Sequence, residues 1–321
     1  MRLLKLIPDN TNIDFMRWRN IAALISLLLV LGSIALVATR GLNLGVDFVG
    51  GQQIRATFQQ PVPIEDVRSR IAGLNFGDAS IQEFGNPNTL SIRIASPEDT
   101  PESAARVVGG VRTALTRAYP GTVFAVDSVS GKVSGELYRS GALALGLAML
   151  GIAIYIWFRF EWQFGVGALV TLFHDVAIIF GFFSITRLEF NLNIVAALLT
   201  IVGYSLNDTV VIYDRIRENL RKFRKMEIVP LLNLSLNETL SRTIVTSLSI
   251  MLALLMLLIF GPAVIFGLTA AILFGTVIGT YSSIYISAPM LVWLKVDSNS
   301  FLPKDGGPAS AERVGPREGY N

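Results

Sequence analysis

Six apolar runs, each long enough to cross a lipid bilayer, dominate this chain: about 21–38, 140–158, 164–185, 194–212, 244–260 and 264–294. A hydrocarbon core of roughly 30 Å needs about 20 apolar residues in a helix. No water is present there to satisfy backbone N–H and C=O groups, so such runs must be helical. With 52% hydrophobic residues, 16% charged residues and a mean hydropathy of +0.54, the chain is too apolar for a soluble domain. It reads as a polytopic α-helical membrane protein with six transmembrane helices. The last run is over-long and predicts a tilt, kink or break. The first follows Arg17 and Arg19, and Ser33-Ile34-Ala35 loosely resembles a signal-peptidase site. Its apolar stretch exceeds the roughly 7–15 residues of a cleaved signal, so it reads as a retained anchor.

Charge sets the expected orientation. Arg2, Lys5, Arg17 and Arg19 precede the first run, and Arg215, Arg217, Arg221, Lys222, Arg224 and Lys225 lie between the fourth and fifth. The loop around Arg187 and the Gly261-Pro262 turn carry almost no positive charge. The positive-inside rule therefore predicts cytoplasmic termini. The expected divisions are a cytoplasmic segment 1–20, a first span 21–38, an outer domain 39–136 and a five-helix bundle 137–294. A cytoplasmic loop 213–241 interrupts the bundle, and a disordered tail 295–321, rich in Gly, Pro and charge, ends the chain. A net charge of +3 suits loops facing anionic lipid better than nucleic acid. The absence of cysteine and the single histidine, His174, exclude thiol chemistry and a multi-His metal centre. No cofactor and no metal are expected.

The outer segment reads as a small folded domain. Residues 53–58 alternate like a strand, and Pro63-Ile64-Glu65-Asp66 opens a helix to Leu74. Strands at 80–84 and 90–95 flank a Gly85-Asn86-Pro87-Asn88 turn, a helix spans 101–118 and a last strand spans 123–129. The order β-α-β-β-α-β is the ferredoxin-like split motif.

The polar residues inside the apolar runs carry the functional signal. Asp208 stands within the fourth run, where a carboxylate costs roughly 2.5–3.5 kcal/mol on insertion scales. At 1.5 Å per residue it lies roughly 10 Å inside the Arg215 end. Tyr204 shares its helix face, and the neighbouring Asn207 suggests a polar interior. Proton relay competes with the blander role of an acid that snorkels or caps a helix. Arg242, at the mouth of the fifth run, is either its partner or an ordinary flanking cation. His174-Asp175 sits near the middle of the third run. Adjacent helical residues differ by about 100°, so the two are expected to face different neighbours. Asp175 is a second relay carboxylate or a hydrogen-bonded structural acid, and His174 an interhelical donor. Gly275 and Gly279, like Gly141, Gly146 and Gly151, suit close helix packing.

Several segments resemble the SecF family of the bacterial Sec protein-export machinery. They include Gly45, Asp47, Phe48, Gly50 and Gly51 after the first run, and Gly203-Tyr204-Ser205-Leu206-Asn207-Asp208-Thr209-Val210-Val211 in the fourth. Asp214-Arg215-Ile216-Arg217-Glu218-Asn219, Leu240-Ser241-Arg242-Thr243 and Gly279-Thr280-Tyr281-Ser282-Ser283-Ile284-Tyr285 continue it. The resemblance implies a non-enzymatic, proton-driven subunit of the resistance-nodulation-division superfamily in the inner membrane. It also implies pairing with SecD, association with YajC, the SecYEG channel and SecA, and outward movement of preproteins by the proton-motive force. Asp208, Arg242 and Asp175 are then the relay, with Asn207, Tyr204, His174 and Glu238 around them. Glu238 stands where the family pattern has a neutral Gln-like residue, which would let it compete for Arg242. Pro262 replaces a Gly. A small-molecule efflux subunit of the same superfamily is the nearest rival, although one six-helix half with one small outer domain fits it poorly. An intramembrane aspartyl protease is disfavoured: Tyr213-Asp214 resembles one of its motifs, but the Gly-x-Gly before a second acid is missing. A purely structural assembly subunit is the third rival.

Overall fold

The computed structural model describes residues 11–77, 79–94 and 100–296. Arg2, Lys5, Ala95 and the tail beyond 296 lie outside the described residues.

The apolar runs form six helices long and apolar enough to span a membrane. The first is α1 (Arg19–Arg40), entered through a 3-10 turn whose Asp14 side chain accepts from Arg17 N. A one-turn helix, α2 (Val46–Val49), follows and leads into the outer domain. There β1 (Gly51–Thr57), α3 (Ile64–Ala72), β2 (Ala79–Phe84), β3 (Asn86–Ile94), α4 (Pro101–Ala118) and β4 (Val123–Val129) run in the expected order. The sheet is antiparallel with order β2-β3-β1-β4, the ferredoxin-like arrangement. Period-2 alternation gives it two unlike faces. Ile54, Ala56, Leu90, Ile92 and Ile94 pack against Val67, Ile71, Val107, Val111 and Leu115 of the two helices. Gln53, Arg55, Ser91 and Arg93 occupy the alternate positions, and Gln53 and Arg93 bond to the outer end of the bundle. The hairpin turn is tighter than expected. Only Gly85, at φ +76°, separates β2 from β3, so Asn86 and Pro87 already belong to the strand.

Five further helices complete the bundle: α5 (Gly131–Arg159), α6 (Trp162–Thr186), α7 (Leu192–Lys222), α8 (Ile228–Phe260) and α9 (Phe266–Ser282). The break expected in the over-long last run is a π-helical segment, Ser283–Ser287, after which α10 (Ala288–Trp293) resumes. Such segments concentrate at functional sites. Two boundaries differ from expectation. Residues 131–136 already belong to α5. Residues 213–222 and 228–241, expected as a cytoplasmic loop, extend α7 and α8, leaving only 223–227 as connection. The apolar pattern marks only the apolar part of each helix, so it does not mark where a polar helix end stops. Asn233 and Asn237 on the α8 extension accept from the backbone N–H groups of Met16 and Ile13, tying down the start of α1.

Glycines bring spans together at specific points. A Cβ on Gly275 would sit 2.6 Å from Ile201 Cδ1, and one on Gly279 would sit 3.0 Å from Ser205 Cβ. Gly141 packs near Val195, whereas nothing lies within 4 Å of a Cβ on Gly146 or Gly151. Those two glycines are exposed and pack against no other helix of this chain among the described residues.

Candidate functional site

The bundle interior holds a polar layer between two apolar zones. At its centre is Asp175, fully buried on α6. Its Oδ2 accepts from Ser205 Oγ on α7 at 2.5 Å and from Ser282 Oγ on α9 at 2.9 Å. Its Oδ1 lies 2.9 Å from His174 Nδ1. The two adjacent side chains therefore meet, contrary to the expectation from helical angle: both lean to the same buried side, His174 being 4% exposed. His174 Nε2 is buried with no hydrogen-bond partner among the described residues. A buried carboxylate is tolerated only when its lone pairs are occupied, and three donors occupy these.

Asp208, 3% exposed on α7, is held more loosely. Its hydrogen-bond partner among the described residues is Ser247 of α8, with Oγ 3.5 Å from Oδ2. Ser247 also receives the Tyr204 hydroxyl at 2.9 Å and lies 2.8 Å from Thr280 Oγ1 on α9. Tyr204 and Asp208 thus share a face, as their spacing predicts. Thr209 Oγ1 lies 3.0 Å from Ser283 Oγ, and Tyr213 O–H donates to the Ser287 carbonyl at 3.2 Å. One α7 stripe therefore engages α6, α8 and the π segment together.

Arg242 does not close on Asp208. It is exposed, nearly half-way along α8 at the point where the apolar run begins, and makes no hydrogen bond or ion pair to the acid among the described residues. Nor does Glu238 compete for it. Glu238 Oε2 accepts from Arg215 Nε and from Asn219 Nδ2, each at 2.7 Å. Asn207 is exposed as well and contributes nothing to the interior. Asp214 is half-exposed and pairs with Arg159 at 2.9 Å, while Arg217 pairs with Glu161 at 3.2 Å. These link α7 to the α5–α6 turn.

At the outer end, the Gly-Gly block is a docking joint. Gly45 N–H donates to the Phe190 carbonyl at 2.9 Å, and Asp47 Oδ2 accepts from Leu192 N at the start of α7. Phe48 lies tilted against Phe190, with ring centres 5.9 Å apart, and meets Tyr138 edge-on. Gly50 and Gly51 take φ +77° and +106°, and a Cβ on Gly50 would stand 3.1 Å from Gly131 Cα. Both conformation and contact demand glycine there.

The family model described as "Protein export membrane protein SecD/SecF, C-terminal" matches residues 112–297, and the "SecD/SecF GG Motif" matches 35–62. The protein translocase subunit SecF of Cereibacter sphaeroides is 44% identical over 319 residues, covering 97% of this chain and 96% of the relative. That of Ketogulonicigenium vulgare is 43% identical, with coverages of 96% and 97%. This chain belongs to the SecF family. The crystal structure of SecDF, a translocon-associated membrane protein from Thermus thermophilus, superposes with a TM-score of 0.84 at 33% identity. That match covers 90% of this SecF-family chain and 40% of the longer SecDF chain. SecF relatives are translocase subunits and not enzymes.

Sequence reasoning about this SecF-family chain missed the hydroxyls. Ser205, Thr209, Ser247, Thr280, Ser282 and Ser283 supply most of the contacts in the polar layer. A signal existed: Thr276, Thr280, Ser283 and Ser287 recur at spacings of four, three and four, a polar stripe along an apolar helix.

Proposed function

We propose that this chain is one half of a proton-driven export machine in the bacterial inner membrane, pairing with SecD and working beside YajC, the SecYEG channel and SecA. The termini face the cytoplasm and the outer domain faces the preprotein side. The observation that carries this reading is the pair of buried carboxylates, Asp175 and Asp208, held by hydroxyls from α7, α8 and α9. Asp208, with its single long hydrogen bond, is the acid that exchanges its proton. Protonation removes the charge that attracts Arg242 and Ser247, so α7, α8 and α9 repack and the outer domain swings while preprotein is held.

Asn207 and Arg242 support a partner on the outer side of α7 and α8. Thr200, Gly203 and Asn207 form an exposed small and polar line on α7. Such surface suits another helix better than lipid. A potential of 100 mV contributes about 2.3 kcal/mol per charge moved, nearly a fiftyfold bias on a two-state element.

The test is Asp208→Asn in vesicles energised by a proton gradient. Export is expected to lose its dependence on the gradient while the complex with the SecD-type partner still assembles. Loss of assembly instead would favour a purely structural role.

A further inference from the structure

One acid of the membrane domain reaches the polar face of the outer sheet. Glu189 lies in the turn between α6 and α7. Its Oε2 accepts from Gln53 Nε2 of β1 at 2.6 Å, and the same nitrogen lies 3.0 Å from Ser91 Oγ of β3. Its Oε1 packs against Gly45, where a Cβ would stand 2.7 Å away. The first glycine of the docking joint thus leaves room for this carboxylate.

The charged groups around Glu189 come from every neighbouring element. Arg93 of β3 donates to the Leu44 carbonyl and to Asn43 Oδ1, and Arg55 of β1 pairs with Asp127 of β4. Arg187 donates to the carbonyls of Arg40 and Gly41. Neither Arg55 nor Arg93 is ion-paired with Glu189, so both act on it as a field. Asp47 lines the same cavity of about 530 Å³ beneath the sheet, and Glu83 lines the neighbouring one.

We infer that Glu189 is a positioning residue that pins the outer domain to the bundle through Gln53, and that the outside proton concentration sets how firmly the pin holds. The inference rests on the proposed reading that the outer domain moves. Burial holds the Glu189 carboxyl above the usual carboxylate range, with Arg93, Gln53, Asn191 and Arg55 acting against it. Release would return the carboxylate to water, where ionisation is easier. The docked arrangement therefore binds the proton more tightly. By linkage, docking strengthens as pH falls and weakens as pH rises through the raised value.

The absence of cysteine from this chain lets it be labelled at chosen positions before it is combined with its partner. Spin labels at Arg106→Cys on α4 and Thr186→Cys at the end of α6, both exposed, report the distance between outer domain and bundle. The measurement uses the full chain in complex with its SecD-type partner in lipid nanodiscs. The docked distance peak is expected to grow from mildly alkaline to mildly acidic buffer. Glu189→Gln is expected to stay docked with the pH response lost, and Gln53→Ala to lose the docked peak. The exchange Gln53→Glu with Glu189→Gln is expected to restore both docking and the pH response, which a merely structural contact would not do. An unchanged docked peak in Gln53→Ala, or a wild-type pH response in Glu189→Gln, overturns the inference. The readout does not involve export, so either result leaves the Asp208 test standing.

Discussion

Replacing Asp175 separates a strut from a proton carrier. Asp175→Ala removes the acceptor of three donors at once. Ser282 has a second acceptor in the Gly279 carbonyl at 3.1 Å, so its hydroxyl is not stranded. The Ser205 hydroxyl and the His174 ring are left without Asp175. At about 1–3 kcal/mol for each buried unsatisfied group, the loss is roughly 2–6 kcal/mol. Asp175→Asn keeps the shape. Its carbonyl faces His174, and the two serine hydroxyls rotate to accept from the new amide. Each rearranged bond is worth about 1 kcal/mol, so imperfect geometry there costs less than stranding the donors. Thermal unfolding in detergent, followed by tryptophan fluorescence, should therefore rank wild type above Asn and Asn above Ala. Equal midpoints for Ala and wild type would refute the accounting of stranded donors. Gradient-dependent export then divides the roles. If Asp175 carries protons, the folded Asn variant loses gradient dependence; if it is a strut, Asn retains it.

Other consequences are equally specific. Gly275→Ala would place a methyl group 2.6–2.7 Å from three side-chain carbons of Ile201. Overpacking of this kind costs about 1–3 kcal/mol, and adding Ile201→Ala should restore most of the lost unfolding midpoint. Glu238→Gln should leave gradient-dependent export unchanged, because its charge is spent on Arg215; altered coupling would mean that it acts on Arg242 after all. In the outer domain, hydrogen bonds from Tyr119 and Arg70 hold the Asp66 carboxyl below its ordinary value of 3.8. A lowered folded value means that this contribution is complete above the ordinary value and is lost as pH falls through the folded one. An acid titration of outer-domain unfolding, read from tyrosine fluorescence, should be shallower at its acid end in Asp66→Asn.

The architecture was legible because each level of the sequence agreed with the next. Apolar length predicted the spans, and period-2 alternation with turn residues predicted the split βαββαβ order. The residues that tile the polar layer were harder to read. Asp175 and Asp208 announce themselves by charge, whereas Ser205 or Thr280 is neutral and tolerable anywhere in a membrane helix. Their importance arises only when three helices converge. Arg242 is harder to read for the opposite reason. Its proximity to Asp208 in the resembled pattern says nothing about whether the contact is closed in a given arrangement. Asn207 misled because one residue along a helix turns a side chain by about 100°, from the interior to the outer face.

The two apolar zones explain why the exposed face matters as much as the buried acids. On the outer side, Phe183, Phe190, Ile194, Leu198 and Ile201 pack into one buried cluster. On the other side, Phe160, Phe164, Ile212, Tyr213 and Ile216 form another. Asp175 and Asp208 lie between them, and a line of polar contacts, Thr209–Ser283 and Tyr213–Ser287, runs from this layer into the second zone. On the proposed function the lateral way to Asp208 passes Ser247 and Tyr204, where α7 and α8 present Asn207 and Arg242. A relay that opens only on that face has its acid in one chain and its conduit at the seam with another, and the same seam that brings the proton is the one the repacking of α7 and α8 would shift.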